Sequence, residues 1–189
     1  MLRVLLILLI AAQMSGCVSV VAVGAAGTAA VSASDRRTVG TQIDDKTTEA
    51  RVNAAINDIP NLDENAAISV HVYNGQVLLT GQANQQTLID AASQAASQVA
   101  HVDKVHNQVR LGKPIPATAT MNDIWLGTKI RTLMTANEDV PLLKLDLIVE
   151  DSEVFIMGRL TKQEARAAVE IARNVQGVVK VVRVMELLD

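Results

Sequence analysis

Residues 68–81 read ISVHVYNGQVLLTG, and residues 145–158 read LDLIVEDSEVFIMG. Both segments open with an apolar side chain at every second position, which is typical of a half-buried strand. Asn74-Gly75 then forms a strong hairpin-turn signal in the first segment, and Asp151-Ser152 forms a weaker one in the second. An apolar run follows each turn and ends at a glycine, Gly81 or Gly158. Each segment therefore predicts a β-hairpin.

The two hairpins belong to an internal repeat. Residues 41–111 align with residues 120–187 at an offset that drifts from 78 to 76. The matched anchors, in chain order, are Asp45 with Asp123, Arg51 with Lys129, Val77 with Val154, Gly81 with Gly158, Ala92 with Ala168, and Val105 with Val181. A duplication of this length indicates two copies of one small folding unit.

Each hairpin is flanked by predicted helices. We expect the first helix of each copy to begin at an acidic or amide cap, Asp44 or Asp45 in one and Asn122 or Asp123 in the other. An Ala-rich helix follows each hairpin and leads to a last strand, at residues 104–110 and 179–185. Helical spacing predicts that the first helices bury Val52, Ala55 and Ile56, and Leu126, Ile130, Leu133 and Met134. Each copy is therefore an α-β-β-α-β unit of the α+β class.

The repeat and the segment between its copies divide the chain. The modules span residues 41–112 and 120–189, and residues 113–119 form a linker. The stretch GKPIP at 112–116 cannot continue a helix or a central strand, so we expect a short, fairly stiff connector.

The N-terminus resembles an export signal. Arg3 precedes a short uncharged apolar run and then small residues, so residues 1–16 are read as a signal peptide rather than as a membrane span. Met14-Ser15-Gly16-Cys17 resembles the bacterial lipobox, which predicts lipidation of Cys17. The alternative is an ordinary signal peptide that happens to contain a cysteine. Val18 follows the cysteine where inner-membrane lipoproteins of many Gram-negative bacteria carry Asp, so by analogy we expect the outer membrane, facing the periplasm.

Residues 17–40, which follow cleavage, are rich in Val, Ala, Gly and Ser and are read as a lipidated flexible tether. The alternative is a glycine-spaced helix through Gly24 and Gly27.

The composition disfavours nucleic acid as a partner. Lys and Arg number 17 against 20 Asp and Glu, so the net charge is −3 and the basic surplus of phosphate-backbone binders is missing. Only 2% of residues are aromatic, which leaves almost nothing to stack on bases.

Signals for catalysis are weak. His71, His101 and His106 all lie in the first copy, and the reading of three solvated or partly buried side chains is favoured over a metal or acid-base site. Asp44-Asp45 suggests paired carboxylates, but adjacent acids at a helix start are ordinarily caps. No nucleophile elbow, Walker loop or dinucleotide fingerprint occurs. We expect neither an enzyme, a metal nor a cofactor.

The order α-β-β-α-β, the glycine after the second strand and the Val-x-Lys-Val third strand (102–105 and 178–181) resemble the BON domain. Two such modules behind a lipobox resemble the DolP family of outer-membrane lipoproteins. The resemblance implies a three-stranded mixed sheet on two helices in each module. It also implies phospholipid binding and a role in envelope integrity associated with cell division.

The duplication provides an internal control, because a function unique to one copy should appear as an asymmetry. Trp125 is one, since its counterpart in the first copy is Thr47. At 100° per residue Trp125 lies about 120° from the expected core side, so we predict exposure of Trp125 and Ile124 beside Lys129 and Arg131. Such a helix start suits insertion among anionic headgroups. The alternative is that Trp125 folds back over the linker or the first module.

The resemblance implies contact with anionic phospholipid through this same helix. The predicted phospholipid-binding residues are Ile124, Trp125, Thr128, Lys129, Arg131 and Thr132. The second module, with 9 basic and 11 acidic side chains, also tolerates an anionic surface better than the first, with 4 and 8.

The sequence thus predicts a lipid-anchored, non-enzymatic periplasmic protein that binds anionic phospholipid through its second module. The rival hypothesis is a protein-interaction scaffold for an outer-membrane assembly or division factor, since an exposed Trp beside Arg also suits an interface centre. A third hypothesis is an inert spacer between envelope layers.

Overall fold

The computed structural model describes residues 35–188. Cys17, the predicted signal peptide and most of the predicted tether lie outside the described residues. Two α-β-β-α-β modules follow one another between residues 39 and 188, each with two main helices and a mixed sheet. The predicted fold class is confirmed.

Module 1 contains α1 (Val39–Asn57), the short α2 (Leu62–Asn65), β1 (Ala66–Tyr73), β2 (Gln76–Ala83), α3 (Gln86–Ser97), β3 (Lys104–Asn107) and β4 (Arg110–Leu111). Strand β1 pairs antiparallel with β2, and β3 and β4 pair parallel with β2. The predicted last strand is thus broken into two pieces after Asn107, whose side-chain oxygen accepts from the amide of Val109 at 3.0 Å.

Module 2 contains α4 (Ala117–Thr135), a 3₁₀ turn (Leu142–Lys144), β5 (Leu145–Glu150), β6 (Glu153–Thr161), α5 (Lys162–Arg173) and β7 (Lys180–Leu188). Its sheet has the order β5-β6-β7, with β7 parallel to β6 along nine residue pairs. Thr161 and Glu164 form a reciprocal capping box at the start of α5.

The predicted starts of the first helices are wrong. Helix α1 begins at Val39, where the Thr38 side chain accepts from the amide of Thr41 at 3.0 Å. Helix α4 begins at Ala117 after Pro116, inside the segment predicted as linker. Pro116 suits this position because a helix leaves its first amides without partners, so a missing N–H costs nothing there.

Asp45 and Asp123 therefore lie inside the helices, and each is buried. The Asp45 carboxylate accepts from the amides of Asn74 and Gly75 at 2.8 and 3.0 Å. The Asp123 carboxylate accepts from the amides of Asp151 and Ser152 at 2.7 and 2.8 Å. Both residues of each two-residue turn have positive φ and lie outside the strand pairing, so the hairpin ladder does not use their amides. Each aspartate caps a hairpin turn, not a helix, and this contact is called the turn latch below.

Gly81 and Gly158 lie inside β2 and β6 rather than at their ends. Gly81 has φ +110, and a Cβ there would collide with the carbonyl oxygen of Ala67 on β1. At Gly158 a Cβ would stand 2.9 Å from the carbonyl oxygen of Lys144. Close approach of the neighbouring backbone, from β1 at Gly81 and from the end of the 3₁₀ turn at Gly158, therefore leaves no space for a side chain at either position.

Each module has its own apolar core between the helices and one face of the sheet. In module 1 the core includes Val52, Ile56, Val77 and Leu79. In module 2 the corresponding core includes Leu126, Ile130, Met134, Val154 and Ile156, all fully buried.

A third apolar cluster lies between the two sheets. Tyr73 and Leu78 of module 1 pack with Phe155, Met157 and Val184 of module 2. These side chains occupy the opposite phase of their strands from the module cores, so β2 and β6 are buried on both faces. The two modules therefore pack sheet against sheet.

Polar contacts surround this interface. The Tyr73 hydroxyl donates to the carbonyl oxygen of Lys144 at 3.0 Å, and the Asn74 side-chain amide donates to Glu186 at 3.1 Å. Arg110 of module 1 pairs with Asp151 and Glu153 of module 2. The interface thus combines an apolar centre with a charged margin.

Candidate functional site

The first half of α4 presents large apolar side chains to solvent. Ile124 is 65% exposed and Trp125 is 54% exposed. Leu126 and Ile130, on the opposite side of the helix, are fully buried and hold it against the sheet. Trp125 is therefore not buried against the first module or the linker.

Lys129 and two threonines extend this surface along the helix. The Lys129 ammonium lies 4.8 Å from the centroid of the Trp125 ring, in cation–π geometry. The hydroxyls of Thr128 and Thr132 donate at 2.9 Å to the carbonyl oxygens of Ile124 and Thr128. Their donor hydrogens are thus used within the helix, while their oxygens face solvent as acceptors.

Arg131 lies on the flank of this surface. Its guanidinium donates to the carbonyl oxygen of Leu147 on β5 at 2.6 Å, although the residue remains exposed. A nearby cavity of about 190 Å³ is lined by Ile124, Arg131 and Glu150 among others. Burial raises the pKa of Glu150, against the smaller effect of its hydrogen bond from Gln82. Of the six predicted residues, Arg131 is the one turned toward the sheet.

Met121 was missed by the sequence analysis. It is 71% exposed and lies one helical turn before Trp125, so the two side chains share a face. The predicted helix start at Asn122 or Asp123 placed Met121 outside the helix, which hid the spacing. Met121, Ile124, Trp125, Thr128, Lys129 and Thr132 together are called the α4 surface below.

The prediction that Leu133 is a core residue is wrong. Leu133 is 45% exposed because it lines an open groove of about 550 Å³ between α4 and α5, together with Lys129 and Ile171. Its neighbour Met134 takes the core position instead and is fully buried.

The equivalent helix of module 1 differs in character. Ile43, which aligns with Met121, is also exposed at 61%. Beyond it Lys46 pairs with Glu49 at 3.2 Å, and Thr47 stands where module 2 has Trp125. An exposed aromatic residue beside a cation is therefore confined to module 2.

The histidines are dispersed. His71 lines a cavity of about 370 Å³ between the modules, near Lys46, Glu49, Arg131 and Asp146. Burial lowers its pKa below the ordinary 6.5, against the opposing influence of Glu49 and Asp146.

His106 lies on β3 and is 2.8 Å from the side-chain oxygen of Gln76. Burial, followed by the charge of Lys104, lowers its pKa. Between residues 35 and 188 no group of three His, Cys, Asp or Glu side chains is arranged to hold a metal ion.

Two small mixed sheets, each backed by helices, define a protein of two tandem α+β modules. The BON domain model matches residues 44–113 and 122–189. The chain belongs to the BON-domain family, and it carries two copies of that domain.

Two relatives match most of the chain. The outer membrane lipoprotein DolP of Haemophilus influenzae is 36% identical over 176 residues, which cover 93% of this chain and 91% of that protein. The 21 kDa hemolysin of Actinobacillus pleuropneumoniae is 38% identical over 155 residues, which cover 82% of this chain and 80% of that protein.

Among solved structures, the C-terminal domain of CdsD, the structural protein of the type III secretion system of Chlamydia trachomatis, is similar at 10% identity with a TM-score of 0.31. The match covers 74% of this chain and 96% of that one. Within residues 35–188, none of the helices combines the length and hydrophobicity needed to cross a bilayer.

Proposed function

We propose that this chain is a lipid-anchored protein of the outer membrane, facing the periplasm, that binds anionic phospholipid through the α4 surface. The observation that carries the proposal is the grouping of exposed Met121, Ile124 and Trp125 beside Lys129. Apolar and aromatic side chains favour the headgroup and acyl boundary, and a cation nearby favours anionic lipid.

The family and the N-terminal sequence support the location. The relative from Haemophilus influenzae is an outer membrane lipoprotein, and Met14-Ser15-Gly16-Cys17 has the pattern of a lipidation site. A role in envelope integrity at division sites follows from the resemblance to the DolP family. The role is one of binding rather than catalysis.

The difference between the modules supports the choice of α4. Both first helices expose an apolar residue near their start, Ile43 or Met121. Only in module 2 does this residue share its face with an exposed tryptophan, whereas in module 1 the face continues with Thr47 and the Lys46–Glu49 pair. A charged pair disfavours insertion into a membrane interface because both ions would lose hydration.

Vesicle co-sedimentation tests the proposal. The soluble chain from residue 35 onward keeps the Thr38 cap of α1 and lacks the anchor, so any pelleting reports the folded modules. We expect pelleting with phosphatidylglycerol-containing vesicles and little with pure phosphatidylcholine vesicles. Trp125→Glu should weaken binding to the anionic vesicles at least about tenfold, because an apolar anchor is replaced by a repelled charge.

Ile43→Glu is the matched control. It places the same charge at an exposed apolar position of the equivalent helix in module 1, so it should leave pelleting unchanged. Equal binding by wild type and Trp125→Glu, with unchanged unfolding of both, would remove the α4 surface as the lipid contact.

The second candidate is a protein-interaction scaffold for an outer-membrane assembly or division factor. The stacked Trp125 and Lys129 pair favours it, since aromatic residues beside cations are common at interface centres. A salt series separates the two functions. Binding to anionic vesicles should fall as salt rises, whereas an aromatic-centred protein interface should change less.

A further inference from the structure

Module 2 has a second concave surface, on the side of α5 that faces β7. A groove of about 640 Å³ runs between this helix and the strand. Four exposed cations line it: Lys162, Arg166, Arg173 and Arg183. No residue of the α4 surface lines the groove, so the two surfaces are separate.

The groove is predominantly positively charged. Glu170 is the one carboxylate among its described lining residues, and it pairs with Arg173 at 2.8 Å. Arg166 donates through Nε to the carbonyl oxygen of Lys162 at 3.3 Å, a contact that uses one of its five N–H donors. Apolar side chains, including Val169 and Leu187, line the same groove. A ligand for this groove should therefore combine negative charge with an apolar part.

The repeat shows that the cations are not needed for the fold. The positions of module 1 that align with the four cations are occupied, in order, by Gln86, Asp90, Ser97 and Asn107. Both modules nevertheless pack the same helix on the same strands. The charge is thus an asymmetry of the kind that marks a function of one copy.

The corresponding strand of module 1 also ends early. The Asn107 side chain donates to the carbonyl oxygen of Ile89 on α3 at 3.1 Å, and β3 stops there. In module 2, β7 continues without interruption from Lys180 to Leu188. Only module 2 therefore offers a long strand beside the groove.

Strand β7 is an edge. Among the described strands it pairs only with β6, so its other side carries backbone N–H and C=O groups without a strand partner. An extended peptide can add to such an edge through main-chain hydrogen bonds, with alternate side chains directed into the neighbouring groove. Self-association through β7 would bring the same cations together and is disfavoured by their repulsion.

We propose that this groove binds an extended acidic segment of a partner protein, which adds as a strand along β7 and places its carboxylates beside Arg166 and Arg183. A protein segment fits better than a membrane, because the cations line a concavity and only Leu187 offers a large exposed apolar side chain there. The groove and the α4 surface can then be occupied at the same time.

A peptide-binding experiment tests this site. The full chain, held in phosphatidylcholine nanodiscs, is titrated against a fluorescent nonapeptide of alternating Glu and Val, and binding is measured by anisotropy. Two further peptides are the same sequence with Lys for Glu and the same sequence with a central Pro, which lacks the N–H that strand addition needs. We expect saturable binding of the first peptide, none of the Lys peptide, and at least about tenfold weaker binding of the Pro peptide.

Variants locate the binding. The double substitution Arg166→Glu with Arg183→Glu should weaken the acidic peptide at least about tenfold, because two attractions become repulsions. Arg51→Glu with Lys113→Glu changes net charge equally at exposed positions outside the groove and should have little effect. Hydrogen exchange of the 180–188 amides should slow when the peptide binds.

Three results would overturn the proposal. The first is unchanged peptide binding by the groove variant, and the second is equal binding of the Pro peptide. The third is displacement of the peptide by phosphatidylglycerol vesicles in the Trp125→Glu background, which would assign the groove to lipid. The Trp125→Glu background disables the α4 surface, so a loss of peptide binding reports on the groove alone. Failure of the proposed phospholipid site would appear instead in vesicle pelleting.

Discussion

The turn latch supplies a prediction whose size can be worked from its contacts. Asp123→Ala removes a carboxylate that accepts two backbone amides at 2.7 and 2.8 Å. A hydrogen bond to a charged group contributes about 1.5–3 kcal/mol, but water can reach the turn residues, which are only half-buried. We therefore expect Asp123→Ala to lower the free energy of unfolding by about 2–3 kcal/mol.

Asp45→Ala should cost more than its counterpart. Besides its two turn amides, Asp45 holds Arg37 at 2.9 Å, and Arg37 lies 3.7 Å from the centroid of the Tyr73 ring. Both side chains of this ion pair are largely buried, and removing one partner of such a pair is costly. We expect a loss about 1 kcal/mol greater than that of Asp123→Ala. The difference stays this small because Arg37 lies just before α1 and can move into water once its partner is removed.

Urea unfolding of the chain from residue 35, followed by circular dichroism, measures these differences. Asp44→Ala is the matched control. Asp44 lies next to Asp45 on α1 but is exposed, so its removal should change stability by less than about 0.5 kcal/mol. Asp123→Asn should recover little, because an amide nitrogen would face a backbone N–H. A cost for Asp123→Ala no larger than that of Asp44→Ala would refute the latch.

The remaining predictions concern space, protonation and the interface. Gly81→Val should unfold the chain or lower its melting temperature strongly, and Gly158→Val should do so less. Both glycines have positive φ, but an added Cβ would collide directly with a carbonyl oxygen at Gly81, whereas at Gly158 it would stand 2.9 Å from one. Melting curves like that of the wild type for both variants would contradict this prediction. Because burial lowers the pKa of His71, the unfolded state binds more protons below pH 6.5, so stability should fall on acidification through that range. His71→Gln should flatten the pH dependence measured by urea unfolding at pH 7.5 and 5.5, and an unchanged slope would exclude His71 as its cause. Leu78→Ala should cost about 2–5 kcal/mol although Leu78 lies outside either module core, and a cost below 1 kcal/mol would mean that the sheets do not pack as described.

Much of the fold was predictable because its signals are local. Alternation of apolar residues located β1 and β5, and helical spacing identified Leu126 and Ile130 as core. The repeat confirmed each assignment against a second copy. Alternation and helical spacing are properties of a single strand or helix. They can therefore be recognised without knowing which element packs against that strand or helix.

The errors have a common physical origin, since each depends on a neighbour that the sequence does not reveal. Aspartate accepts backbone amides equally well at a helix start and at a turn, so Asp45 and Asp123 gave no indication of which amides they face. Leu133 has the helical phase of a core residue, but it meets an open groove beside α5. Packing between the sheets did leave a signal, because the continuous apolar runs at 77–79 and 154–157 are typical of strands buried on both sides.

Burial of β2 on both faces has a consequence for how the hairpin finds its alignment. When one face of a sheet is exposed to solvent, a register shift of one residue moves the apolar side chains of a strand into water, and the hydrophobic effect alone prevents the shift. Here Val77, Leu78 and Leu79 would remain among apolar neighbours after such a slip. Correct alignment must then be enforced at single points, where Gly81 faces Ile68 and where the carboxylate of Asp45 meets the turn. These two positions fix the register of the hairpin. Their loss should therefore produce strands that pair out of register, in addition to lowering the stability of the hairpin.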